Sequence, residues 1–121
     1  MQRKALAIVV ALSAVAFEAR AETAVAGMGT YPCTQFAKFY QTAPQAAEEL
    51  FFAWALGWMS ALNLGSLDRD RTTQDLSSIS VEQQQRFLRE YCNEHPSGRY
   101  MDGVAALYKT LKPSPPAPRT K

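Results

Sequence analysis

Two cysteines, Cys33 and Cys92, are the strongest constraint on how this chain folds, and the start of the sequence bears on whether they are joined. Arg3 and Lys4 form a positive cluster, Ala5 to Phe17 is an apolar run, and Ala19-Arg20-Ala21 places small residues where a signal peptidase reads. This is the pattern of a secretory signal peptide over residues 1 to 21. A retained anchor fits less well, because a spanning helix needs about 20 apolar residues and Glu18 and Arg20 interrupt this run. Cleavage after Ala26 is the alternative, and no cysteine follows the apolar run as a lipoprotein would require. An exported chain matures in an oxidising compartment, so the cysteines are read as one disulfide rather than as two buried thiols. That bond closes a loop of about 60 residues and stabilises by about 4 kcal/mol in the chain-entropy model. Neither cysteine has redox-motif or metal-ligand spacing.

Removal of the leader changes the charge balance. Of 13 Lys and Arg it takes Arg3, Lys4 and Arg20, and of 11 Asp and Glu it takes Glu18, so ten of each sign remain. A neutral chain without a basic stretch lacks the electrostatic footprint of a nucleic-acid binder. The roughly 100 residues left make one domain, near the size at which a covalent staple is useful.

Residues 22 to 30 hold two glycines and no periodicity and are read as a loose leader, ahead of a helical domain over residues 31 to 112. A first helix begins near Pro32, with Cys33, Phe36, Ala37 and Tyr40 on one face. Pro44 opens a central helix to about residue 64, with Glu48 and Glu49 near its positive end and Gly65 just past it. Leu50 to Leu64 is apolar almost all round, but 15 residues containing Gly57, Ser60 and Asn63 fall short of a membrane span. The expectation is a core helix whose large stripe, Ala47, Phe51, Trp54, Trp58 and Leu62, fills the interior. Its small stripe, Ala53, Gly57 and Ala61, is expected to admit a neighbouring helix. Residues 65 to 79 read as a long loop with at most one helical turn. Ser80 and Gln83 form a capping box for a third helix with Val81, Leu88, Tyr91 and Cys92 inward, and Glu82, Arg86, Glu90 and Glu94 facing water. His95-Pro96 stops it, and Ser97 is expected to cap a fourth helix carrying Tyr100, Met101, Val104, Leu107, Tyr108 and Leu111. Residues 113 to 121 hold four prolines and are expected to be disordered or extended. The fold class is therefore small and all-α, with four or at most five helices and one disulfide.

The chemistry available points to binding rather than catalysis. Past the leader there is one histidine, His95, and a grouping with Ser97 and Asp102 is local and already explained by turn and cap. A lone histidine makes a poor metal site, no glycine-rich phosphate loop is present, and no cofactor is expected. The aromatics Phe36, Phe51, Trp54, Trp58, Tyr91 and Tyr108 are the candidates for core or for client binding, and large residues on a central helix are ordinarily core.

Cys33 with Phe36, a helical middle, Tyr91-Cys92-Asn93-Glu94-His95-Pro96 and a final helix ending Leu107-Tyr108-Lys109-Thr110-Leu111 together resemble the HdeA/HdeB periplasmic acid-stress chaperones, over Tyr31 to Lys112. The segment Trp54 to Asn63, with Glu94-His95-Pro96 and the Val104 to Leu111 helix, is similar to the Tai-type immunity proteins that neutralise type VI secretion amidases. The chain departs from the first group in its aromatic-rich middle and longer loop, and from the second in having fewer cysteines. The chaperone resemblance implies a periplasmic dimer that loosens in acid and holds unfolding clients, and the immunity resemblance implies one cognate effector protein. Neither implies stable membrane insertion. Protonating the carboxylates takes the chain from near neutral to about +12 below the usual carboxylate pKa values, which is compatible with an acid response without being specific to it.

Overall fold

A computed structural model of the chain describes residues 24–69 and 72–115. The signal peptide read over residues 1 to 21 lies outside the described residues, as does the end of the proline-rich tail. The fold is a small all-α domain: a short 3-10 turn (Met28–Thr30), α1 (Cys33–Thr42), α2 (Pro44–Leu67), β1 (Thr73–Gln74), α3 (Val81–Glu94), α4 (Tyr100–Thr110) and β2 (Pro113–Ser114). Cys33 and Cys92 are joined, so the staple ties the first turn of α1 to the last turn of α3. A disulfide of this kind belongs to an oxidising, extracytoplasmic compartment.

Local chemistry sets the helix limits. Pro44 disfavours helical geometry in the residue before it, Ala43 is extended (φ −146°), and Pro44 then opens α2, so one residue makes the corner between α1 and α2. The N-terminus of α1 is satisfied from a distance, because the Cys33 N–H donates to Gly98 O at 2.8 Å and the Tyr100 N–H to Tyr31 O at 3.0 Å. These bonds lay the entry to α1 beside the entry to α4. At α3 the capping box forms as expected: the Gln83 N–H donates to Ser80 Oγ (3.2 Å) and the Ser80 N–H to Gln83 Oε1 (2.9 Å). At α4 the cap is not Ser97. Asp102 reaches back to accept from the Arg99 N–H at 2.9 Å, and Ser97 stays exposed in the preceding turn.

The core is centred on three rings, Phe36, Phe51 and Tyr100, whose centroids lie 4.9 to 5.0 Å apart with tilted or edge-on planes. Ala47, Ala55, Met59, Leu88, Val104, Leu107 and Leu111 close around them and around the disulfide. The buried side of α2 is thus Ala47, Phe51, Phe52, Ala55 and Met59, rotated from the expected stripe. Trp54 and Trp58 are half-buried at its margin and Leu62 is exposed. An indole N–H needs a polar partner, and Trp54 finds one outside the core, donating to Ala26 O at 2.8 Å.

Three stretches read as irregular are ordered by long-range contacts. In the leader, Gly27 turns with φ +91° and Gly29 is buried beneath Trp54, where a Cβ would overlap the indole ring. The helix expected to stop at Gly65 continues to Leu67, and Asn63 in its last turns is bonded on both edges to Gln74: its Nδ2 donates to Gln74 O (2.8 Å) and its Oδ1 accepts from the Gln74 N–H (2.9 Å). The tail from Pro113, expected to be disordered or extended, begins with the extended pair β2, antiparallel to β1 with Thr73 opposite Ser114 and Gln74 opposite Pro113.

Candidate protein-binding face

The side of α2 opposite its core stripe is uncovered. Ala53, Gly57, Ser60 and Ala61 are exposed, and Leu50 (48 %), Leu64 (64 %) and Leu67 (45 %) present large apolar side chains to solvent. The small stripe, expected to admit a neighbouring helix, has none within the described residues, and a Cβ built on Gly57 meets no atom within 4 Å. The reason lies in the topology: α1 packs on the Phe51 side and α4 reaches the Met59 and Asn63 side, leaving no helix for the third side. α2 has 24 residues and contains an 18-residue stretch of mean hydropathy 1.3, long and apolar enough to cross a membrane by length and composition, and only 22 % of that stretch is buried. Its other side nevertheless forms the core of the domain. Contiguous exposed apolar surface is the kind of feature from which interaction sites are built, which makes this face the candidate site.

The candidate aromatics divide into two groups. Phe36 and Phe51 are core. Trp54 and Trp58 stack on one another at 6.3 Å along the flank of the exposed face, and Ala24, Val25 and Ala26 border the shallow groove beside them. Trp58 also meets Tyr108 edge-on at 6.5 Å. Tyr108 donates through its hydroxyl to Asn63 Oδ1 at 2.7 Å, completing the network that holds the Gln74 loop, and Gln74 Nε2 donates in turn to Tyr108 O and Leu111 O. Tyr91 stacks on His95 at 4.2 Å and packs against Gly103, where a Cβ would come within 2.8 Å of its ring. Asn63 and Gln74 gave no signal in the sequence. Gln84 is buried too, its amide donating to Leu76 O and Ile79 O, and it could have been found: it stands one turn before Leu88 on the inward side of α3.

Charges sit elsewhere. Glu82, Arg86, Glu90 and Glu94 face water as expected, whereas Val81, expected inward, is 51 % exposed. Arg89 pairs with Glu48 across α3 and α2 and lies over the Tyr40 ring, 5.5 Å from its centroid. Beside this pair a cleft of about 310 Å³ opens between α1 and α3, floored by Phe36, Ala37 and Tyr40 and rimmed by Arg86, Arg89 and Asn93. His95 Nδ1 lies 2.9 Å from Tyr91 O and Asp102 is engaged by Arg99, so both are occupied in holding the turn. Among the described residues no group of three or more His, Cys, Asp or Glu is placed to hold a metal ion.

No family model, curated protein or solved structure matches this chain. The site's own geometry therefore carries the functional argument.

Proposed function

We propose that this chain is a non-catalytic, protein-binding protein of the periplasm that holds unfolding clients under acid stress, in the manner of the HdeA/HdeB-type chaperones it resembles. The observation that supports the reading is the exposed apolar face of α2, Leu50 to Leu67, which carries no charge over that span. Such a face holds unfolded segments through their own apolar side chains and needs no defined sequence. The disulfide is covalent, so it keeps α1 and α3 together in acid as at neutral pH.

The test is light scattering of aggregating client proteins, with and without this protein, at neutral pH and at about pH 2 to 3, below the ordinary carboxylate range. Suppression of aggregation in acid, lost in Leu64→Glu, is the expected result; no protection at either pH refutes the reading. The polar-rimmed cleft between α1 and α3 favours a second reading, an immunity protein that grips one secreted amidase effector. Tight, saturable binding of a single effector at neutral pH, weakened by Arg86→Ala, would establish it instead.

A further inference from the structure

The walls of the cleft between α1 and α3 are cross-linked, because Cys33 stands one turn before Ala37 on α1 and Cys92 adjoins Asn93 on α3. Arg89 is fixed there on two sides, by the Glu48 carboxylate and by the Tyr40 ring under its guanidinium. A site held in this way needs little ordering when a ligand enters. Phe36 and Tyr40 give the floor two rings, and Ala37 presents only a methyl group where a larger side chain would fill the space. The volume, about 310 Å³, is at the small end of the range of ligand sites, about 300 to 1,000 Å³, and suits one small molecule.

The charges narrow the choice further. Glu48 already satisfies Arg89, so what remains at the rim for an occupant is one charge of each sign, Arg86 and Glu90, both exposed. They stand one turn apart on α3, yet among the described residues neither forms an ion pair. A cation four residues before an anion is the weaker of the two orders on a helix, which leaves both groups free to take a ligand.

We infer that this cleft binds a free α-amino acid with a large apolar side chain. The ligand carboxylate pairs with Arg86, whose guanidinium offers parallel donors, and its ammonium pairs with Glu90. Its side chain lies on Phe36, Ala37 and Tyr40, ring against ring where it is aromatic. Both ligand charges sit on one carbon, which matches rim residues whose Cβ atoms are about 5 to 6 Å apart. A simple organic anion sets a like charge beside Glu90 and a simple cation does the same at Arg86, so the rim selects the zwitterion. A residue inside a polypeptide carries neither backbone charge and leaves both rim groups without a partner. The inference is independent of the chaperone reading, whose face lies on α2, and it names an occupant that competes with the effector of the second reading.

Isothermal titration calorimetry of the purified, disulfide-bonded protein at neutral pH with L-phenylalanine should show saturable binding of one molecule per chain. 3-Phenylpropionate, which lacks the ammonium, and phenethylamine, which lacks the carboxylate, should each bind about ten-fold more weakly, as expected for the loss of one charged hydrogen-bonding group. Arg86→Ala should weaken phenylalanine and phenylpropionate but not phenethylamine. Glu90→Gln should weaken phenylalanine and phenethylamine but not phenylpropionate. Both side chains are exposed, so neither change should move the melting midpoint appreciably. Ala37→Leu should abolish binding of all three compounds with helical circular dichroism unchanged. Absence of saturable phenylalanine binding overturns the inference and leaves the cleft to the effector. Phenylalanine bound no more tightly than phenylpropionate overturns it in favour of a simple anion site. Binding that survives both Arg86→Ala and Ala37→Leu overturns it by placing the ligand elsewhere.

Discussion

Asn63 shows how much one residue holds together here. Its amide mimics a strand edge for Gln74 and accepts from the Tyr108 hydroxyl, so α2, the loop before α3, and α4 meet at one side chain. Asn63→Ala leaves those partly buried partners unsatisfied, at about 1 to 3 kcal/mol. The expected signature is local: amide hydrogen exchange should accelerate over residues 72–79 and 112–115 before the rest of the domain opens. The aromatic positions separate by burial. Phe51→Ala empties the centre of the ring cluster and should cost about 3 to 5 kcal/mol, a large share of the stability of a domain this size. Trp58→Ala, truncating a half-buried ring that touches Trp54 and Tyr108, should cost roughly half as much. Thermal melts of the two variants beside wild type check the order; equal losses would contradict the marginal position of Trp58.

Among the elements, α1 depends most on the staple. It is ten residues long, too short to persist alone in water, and Cys33 anchors it to α3 across a sequence separation of 59. Cys33→Ser should therefore lower stability by about 4 kcal/mol by the chain-entropy argument. Urea denaturation of the variant, compared with the reduced wild type, is the measurement, and the two should agree. The entry to α4 has an electrostatic cap of its own. The Arg99 N–H, more than any other neighbour, holds the Asp102 carboxyl below its ordinary value, and the Arg99 side chain adds to the effect. Because the folded value is depressed, this cap contributes fully above the ordinary carboxylate pKa of about 3.9 and is lost as pH falls through the lowered value. Melting midpoints of wild type and Asp102→Asn should differ at neutral pH and converge in strong acid.

For the molecule as a whole, stability should fall at both ends of the pH scale for separate reasons. In acid, Asp75 acts like Asp102: the Ser77 hydroxyl, then the Ser77 N–H, lowers its carboxyl, so the turn before α3 weakens as that carboxylate is protonated. In alkali the centre of the core responds. Burial pushes the Tyr100 phenol well above its ordinary value, with the Glu48 charge adding to the rise. A raised folded value means stability is intact below about pH 10, where an unfolded tyrosine begins to ionise, and is lost as pH rises from there towards the folded value. Tyr100→Phe removes that ionisation and should flatten the alkaline limb of the melting profile while leaving the acid limb in place.

The division between what was legible in the sequence and what was not follows the range of the interactions involved. Helix count, the disulfide, the corner at Pro44 and the Ser80–Gln83 box are set by neighbours a few residues apart or by the pairing of two cysteines, and all stand in the structure as the sequence implies. Periodicity also placed Cys33, Phe36, Leu88, Cys92, Val104 and Leu107 inward, since each of those helices has one apolar side. On α2 there is no single apolar side. A helix apolar on every side gives periodicity nothing to measure, so only the packing of α1, α4 and the ordered leader decided that Phe51 and Met59 are core, that Trp54 and Trp58 are marginal, and that Gly57 is bare. Likewise, β2, the ordered leader and the Asn63–Gln74 link join residues 11 to 41 positions apart through backbone groups. Every residue carries such groups, so nothing in side-chain type announces where they will meet; tertiary proximity alone selects the partners.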